Sequence, residues 1–516
     1  MLRSLLPFLF LLPTLAAAEP TAIVLRNATI HDGTGKAGYV GDLHSQGEKI
    51  VAVGKVGEVR GAKEIDTKGL VVCPGFIDLH THCDDGLLGK VGKANKNYIM
   101  QGCTLVVTGN CGSGPHEVAA YFKKLEAAGI GPNEIHLAPH NSIRSAVMGN
   151  VNRVPTAEEQ NKMEALVEAA MKDGCFGMAT GLIYNPGTYS KTEEIVGLAK
   201  VVGKHGGLYA SHIRHEGAGL LTAIEEALLI GSEGGCRVHI SHIKASGKSA
   251  WGTSSAAVAL IEKAQKAGQI VTADQYPYIA SSTSLKAIVV PTQYREGSAK
   301  DYVARLDDPK TGPLIREAVA KDVAGDGAKR LQIARYSHKP EWQGKNLQQI
   351  AEAEKKEPVD IALEIERNGG AGVVNFGMSE EDVRVYMKRP WVATASDGSV
   401  QSPGATVPHP RSYGTFPRKI GRYAIEDGIL PLEDAIHSAT GLPASILKLT
   451  DRGTLKAGNF ADVVVFDPKT YRDTATFDKP HQYPTGVKFV FVNGQAVVDD
   501  GKHLPEVLGG KVIRRK

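Results

Sequence analysis

Cysteine is scarce: six residues in a chain of 516, at positions 73, 83, 103, 111, 175 and 236. That density excludes a disulfide scaffold. It leaves room for one chemically active thiol among small buried hydrophobes. Beyond the N-terminus, no run approaches the roughly 20 apolar residues that span a bilayer, so no stable membrane span is expected. A basic block is missing too, apart from Arg514, Arg515 and Lys516, and 60 basic residues nearly balance 56 acidic ones at a formal charge of +4. A nucleic-acid partner is therefore not expected.

What is present fits an ordinary globular chain, with 42% hydrophobic and 22% charged residues and length for more than one domain. Arg3, the apolar run Leu5 to Leu15 and Ala16-Ala17-Ala18 form a signal-peptide pattern over residues 1–18. Cleavage after Ala18 would start a periplasmic or secreted protein near Glu19.

Short β patterns occupy Ile23 to Leu25, Lys49 to Val53 and Leu70 to Val72, with Asp32-Gly33 as a turn. They return at Asp462 to Phe466, Lys488 to Val492 and Gln495 to Val498, with Asn493-Gly494 as a hairpin turn. Residues 19–71 and 445–516 thus read as two halves of one small β domain.

Between them, strands alternate with helices. The candidate strands are Phe76 to His82, Thr104 to Asn110, Ile135 to His140, Phe176 to Gly181, Leu208 to Ile213, Val238 to Ile243, Ile270 to Gln275, Val373 to Gly377 and Val392 to Asp397. Thr156 with Glu159, and Ser190 with Glu193, read as capping-box helix starts, and Gly174 as a helix end. About eight repeats predict an α/β fold, a TIM-like (β/α)8 barrel over 72–444. Nine candidates compete for eight places, and Val373 to Gly377 is the one to demote. Residues 285–350 break the rhythm with a charged, lid-like insertion.

The chemistry gathers at strand ends. In Gly-Phe-Ile-Asp-Leu-His80-Thr-His82, period-2 spacing puts both imidazoles on one side of a strand. Cys111, His212, His242 and Asp397 end other strands, and barrel strand ends converge on one face. Mixed His, Cys and Asp donors suit zinc. His239, three residues before His242, is expected on the opposite face with a structural role.

Nearly the whole mature chain resembles the amidohydrolase superfamily, and within it the N-acyl-D-amino-acid deacylase (D-aminoacylase) family. The resemblance rests on Ile-His-Asp-Gly-Thr-Gly, Gly-Asn-Cys-Gly, Gly-Leu-Ile-Tyr-Asn-Pro-Gly, Ser-His-Ile-Lys, Asp-Gln-Tyr-Pro-Tyr, His-Pro-Arg-Ser-Tyr-Gly-Thr-Phe-Pro-Arg and Gly-Asn-Phe-Ala-Asp-Val-Val-Val-Phe. It implies a tight zinc on Cys111, His212 and His242. It also implies a weaker metal position on His80, His82 and Asp397, with Cys111 able to bridge. The strand Phe176 to Leu182 carries no lysine, unlike relatives that bridge two metals with a carboxylated lysine. The sequence departs from the family in two places: Cys83 separates His82 from Asp84 and Asp85, and Leu79 stands where a serine is usual.

The activity so implied is hydrolysis of N-acyl-D-amino acids by metal-activated water, with Asp397 as general base and acid. The expected partner is a small molecule bearing an amide and a carboxylate. Lys244, two residues beyond His242, supplies a cation; the resemblance assigns Tyr276, Ser282 and Arg411 to carboxylate binding. Rival readings are a peptidase on dipeptides with a C-terminal D-residue, a hydantoinase-like cyclic amidohydrolase, and a catalytically dead solute-binding barrel.

Overall fold

Eight short parallel strands form the centre of the computed structural model, which describes residues 22–515. The predicted signal peptide lies outside these residues. In chain order the barrel strands are Phe76–Asp78, Cys103–Thr108, Asn133–His136 with its continuation Ala138–Pro139, Gly177–Gly181, Leu208–His212, Arg237–Ile240, Val271–Gln275 and Val392–Thr394. Each pairs in parallel with its neighbours. A parallel bridge between Thr81 and Gly398 joins the first strand to the eighth and closes the ring.

Alternation along the strands divides the core. Leu105, Val107, Ala179, Leu208, Ala210 and Ala393 fill the interior with Ala444, Ile446 and Leu447. Val106, Met178, Tyr209, Val238 and Val392 pack outward against the helices. Both faces are buried, so these strands read as continuous apolar runs. Each large apolar side chain so buried stabilises the fold by about 1.5–3 kcal/mol.

The helix Ala157–Asp173 begins at a Thr156–Glu159 capping box and ends at Gly174, whose φ is 114°. The second proposed box does not form. That helix runs Thr192–Lys204 with Lys191 at its start and no side-chain cap; Ser190 Oγ donates to the Glu194 carboxylate instead.

Both chain ends share one nine-stranded sheet. Val71–Pro74 lies between Ala22–Ile30 and Val463–Phe466. The hairpin of Val487–Val492 and Gln495–Asp499 turns through Asn493 and Gly494, with φ of 48° and 77°, the left-handed pair that a tight two-residue turn requires. Tyr39–Gln46 and Lys63–Asp66 are further strands of this sheet, absent from the sequence expectation.

Gly372–Asn375 lies outside the barrel. It is the middle strand of a three-stranded antiparallel sheet with Ser281–Ser284 and Leu331–Arg335. The inserted unit therefore runs past 285–350 at both ends. It has its own core, including Ile315, Leu331, Ile333, Trp342 and Ile361. The described residues contain no helix long and apolar enough to cross a membrane.

Candidate metal centre

Three residues at the C-terminal rim leave the extended backbone just where their side chains are needed. Cys111, His242 and Asp397 have φ of 52°, 37° and 51°, values that non-glycine residues adopt at a cost of about 1–3 kcal/mol and that concentrate at functional sites. Gly109 makes the first of these possible, since a Cβ there would meet the Leu137 carbonyl at 2.0 Å. Its N–H donates to Asp84 Oδ1 across 2.8 Å, so the acidic residue displaced by Cys83 anchors the loop that carries Cys111.

Around the Cys111 Sγ stand three imidazoles: His80 Nε2 at 3.3 Å, His212 Nδ1 at 3.4 Å and His242 Nε2 at 3.6 Å. Asp397 Oδ1 lies 3.1 Å from His82 Nε2 and 3.6 Å from His80 Nε2. His80 thus stands between the two groups expected from the sequence, and donors of Cys111, His80 and His242 converge, as do those of His80, His82 and Asp397.

The four residues expected to bind a carboxylate join this cluster. Arg411 donates to Asp397 Oδ2 across 2.7 Å and to the Ser282 main-chain carbonyl across 3.4 Å. Its guanidinium lies 4.8 Å from the centre of the Tyr276 ring, and the Lys244 ammonium 5.6 Å from the same ring. The Tyr276 hydroxyl is buried and unpartnered among the described residues.

The donor set fits a cation. Burial pushes the Cys111 thiol well up, so a positive charge is what would hold it as thiolate. Burial lowers His212 well below its usual range and His80 to about 4, which keeps both imidazoles neutral and their lone pairs free. Burial would raise Asp397, but Arg411 and then His242, His82 and His80 outweigh it and hold that carboxyl well below the usual range.

Sequence reasoning missed three participants. Asp274 is fully buried: one oxygen is 2.7 Å from His239 Nε2 and 3.6 Å from His80 Nδ1, and the other accepts the His242 N–H. His239 accordingly faces the barrel interior with His80, contrary to the alternation argument. The strand ends at Ile240, so counting by twos to His242 crosses a break. Glu216, four residues after His212, contacts His242 and Lys244. Tyr184 packs its ring edge-on to His212 at 4.9 Å and accepts from the Thr283 hydroxyl. Tyr184 lies in a family-like motif, and the His-to-Glu spacing of four was the one available signal for Glu216.

Residues of the inserted strand Ser281–Ser284 line two cavities, of about 820 and 1000 Å³. The larger also takes in Glu216, Arg214 and Trp251.

A closed barrel whose rim gathers His, Cys and Asp donors is the architecture of a metal-dependent hydrolase. An amidohydrolase family model matches residues 294–498. The D-aminoacylase of Alcaligenes xylosoxydans xylosoxydans is 36% identical, covering 95% of this chain and 98% of the relative. The N-acyl-D-glutamate deacylase of the same organism is 34% identical over 96% and 97%. Among solved structures, a D-aminoacylase described by its binuclear metal centre superposes with a TM-score of 0.82 at 34% identity, covering 96% of this chain and all of the other. The N-acyl-D-glutamate deacylase from Bordetella bronchiseptica, complexed with zinc and a phosphonate inhibitor, gives 0.81 at 32% with the same coverage. The chain belongs to the D-aminoacylase family.

Proposed function

We propose that the chain hydrolyses the amide bond of N-acyl-D-amino acids, with a zinc ion held by Cys111, His212 and His242 and with Asp397 as proton carrier. A weaker metal position uses His80, His82 and Asp397, with Cys111 shared. One observation carries the reading: Arg411 touches both Asp397, at 2.7 Å, and the ring of Tyr276. The anchor for a carboxylate is thus one contact away from the base. Support comes from relatives named D-aminoacylase, N-acyl-D-glutamate deacylase and N-acyl-D-aspartate deacylase.

Bound zinc lowers the pKa of a coordinated water towards about 7 and polarises the amide carbonyl. Arg411 and Lys244 hold the substrate carboxylate, the first through the planar fork that matches two oxygens. The Tyr276 hydroxyl donates into the same pocket. Asp397 accepts the water proton and delivers it to the leaving nitrogen, so one water and one amide become a carboxylate and a D-amino acid. The inserted unit serves as lid, its first strand contributing Ser282 to the wall of the site. The leader pattern of residues 1–18 extends the reading to a periplasmic or secreted enzyme whose mature N-terminus is Glu19.

The test is amine release by the metal-loaded enzyme from N-acetyl-D-amino acids, their L-enantiomers, dipeptides ending in a D-residue, and hydantoins. The N-acetyl-D-amino acids should be turned over fastest. A higher kcat/KM on any of the other three classes overturns the proposal.

A further inference from the structure

We infer that Glu216 is a positioning residue that ties the metal centre to the carboxylate anchor, so that losing its charge weakens metal and substrate together. The inference rests on the roles proposed above for His212, His242 and Lys244.

An imidazole that gives one nitrogen to a metal carries its proton on the other, and that N–H needs an acceptor. His242 turns Nε2 toward the Cys111 sulfur, so its outer nitrogen is Nδ1; His212 turns Nδ1 toward the same sulfur, so its outer nitrogen is Nε2. Both outer nitrogens face a single carboxylate oxygen. Glu216 Oε1 lies 3.1 Å from His242 Nδ1 and 3.7 Å from His212 Nε2, and the latter atom has no hydrogen-bond partner among the described residues.

The same oxygen receives the Lys244 ammonium across 2.5 Å. Lys244 Nζ also lies 2.7 Å from His242 Nδ1. An ammonium and a ring N–H cannot both donate along that contact. Once Nδ1 carries the proton that metal ligation demands, Glu216 is the shared acceptor that holds lysine and imidazole apart and in place. His212, Glu216 and His242 would by themselves suit a metal ion, but the ammonium already occupies the space between two of them. Glu216 therefore supports the ligands instead of adding to them.

Its placement is fixed by main chain. Glu216 sits in the loop after the fifth barrel strand, and its carbonyl accepts the N–H of Ser246, in the loop after the sixth strand, across 2.7 Å. Two neighbouring loops are thereby locked with Lys244 between them.

The test uses the full chain as wild type, Glu216→Ala, Glu216→Gln and Lys244→Met. Metal-free protein is titrated with Co(II) against a chelator, following thiolate-to-cobalt absorption. Melting of the metal-free proteins and KM on an N-acetyl-D-amino acid are measured in parallel. Glu216→Ala should lose about 10- to 100-fold in cobalt affinity and raise KM, and the metal-free protein should melt lower because Lys244 is left buried without its carboxylate. Glu216→Gln, which keeps an oxygen for the imidazole N–H but no charge for the lysine, should recover most of the metal affinity and little of the KM. Lys244→Met should raise KM while cobalt affinity stays within about threefold of wild type, because the ligand support is intact. Unaltered metal affinity in Glu216→Ala, or equal losses in the alanine and glutamine variants, overturns the inference. The cobalt readout needs no turnover. An inactive wild type would refute the proposed substrate, and the cobalt titrations would still decide the role of Glu216.

Discussion

Arg411 and Asp397 form a buried ion pair, guanidinium to carboxylate, 2.7 Å apart. On the proposed mechanism, a substrate carboxylate docking on Arg411 would compete with Asp397 for it, so that recognition of the substrate would also release the base. Arg411→Lys replaces a fork with a point charge. Charge-assisted hydrogen bonds contribute about 1.5–3 kcal/mol, so KM should rise about 10- to 100-fold on N-acetyl-D-amino acids. Amide-capped analogues provide the control: equal weakening of both would remove Arg411 from the carboxylate site.

Cys111→Ala should abolish tight zinc binding, because the sulfur stands within 3.6 Å of three imidazole nitrogens and water does not replace a thiolate. Metal analysis of the purified variant checks this. A full zinc equivalent with normal turnover would contradict the ligand role.

Asp397→Asn preserves size while removing the carboxylate proposed to carry the proton. The three residues proposed to hold the tight zinc are untouched, so zinc content should stay near one equivalent while kcat falls by about 10²- to 10⁴-fold. A loss below tenfold would route the proton through another group. Loss of zinc along with activity would make Asp397 chiefly a ligand.

Lys419 offers a stability prediction away from the site. It is 1% exposed, its amine has no partner among the described residues, and burial lowers it from 10.5 to about 7. For a base whose folded pKa is depressed, stability is lost as pH falls from 10.5 toward 7, since the ammonium form is favoured in the unfolded chain. Lys419→Met, similar in length and apolar, should therefore raise stability by up to about 5 kcal/mol at or below pH 7, at about 1.4 kcal/mol per pKa unit. The gain should shrink toward zero above about pH 10. Urea melts across that range measure it; a gain independent of pH would assign the effect to packing.

The barrel was legible because its strands are short apolar runs between helix starts and stops, and each of the eight expected strands appears within a few residues of its place. Val373 to Gly377 is the candidate to demote, and Gly372–Asn375 pairs with Ser281–Ser284 and Leu331–Arg335 outside the barrel. The site was legible as residue types at strand ends. Its internal geometry was not, because period 2 holds only while the backbone stays extended. His242 and Asp397 lie beyond the regular strands ending at Ile240 and Thr394, in left-handed conformations, where sequence parity carries no information. Glu216 escaped for a related reason: it lies in a loop, and only the packing of two loops brings it to the imidazoles.

The sheet shared by the two chain ends has a consequence for synthesis. Val71–Pro74 needs Val463–Phe466 at its edge. The last residues return to the barrel as well: Ile513 donates to the Glu134 carbonyl and Arg515 to that of Gly174. A nascent chain emerging from the ribosome therefore carries an open strand edge just before the His80-Thr-His82 motif until Val463–Phe466 is translated. A product truncated before Val463 would expose that edge to pairing with other chains.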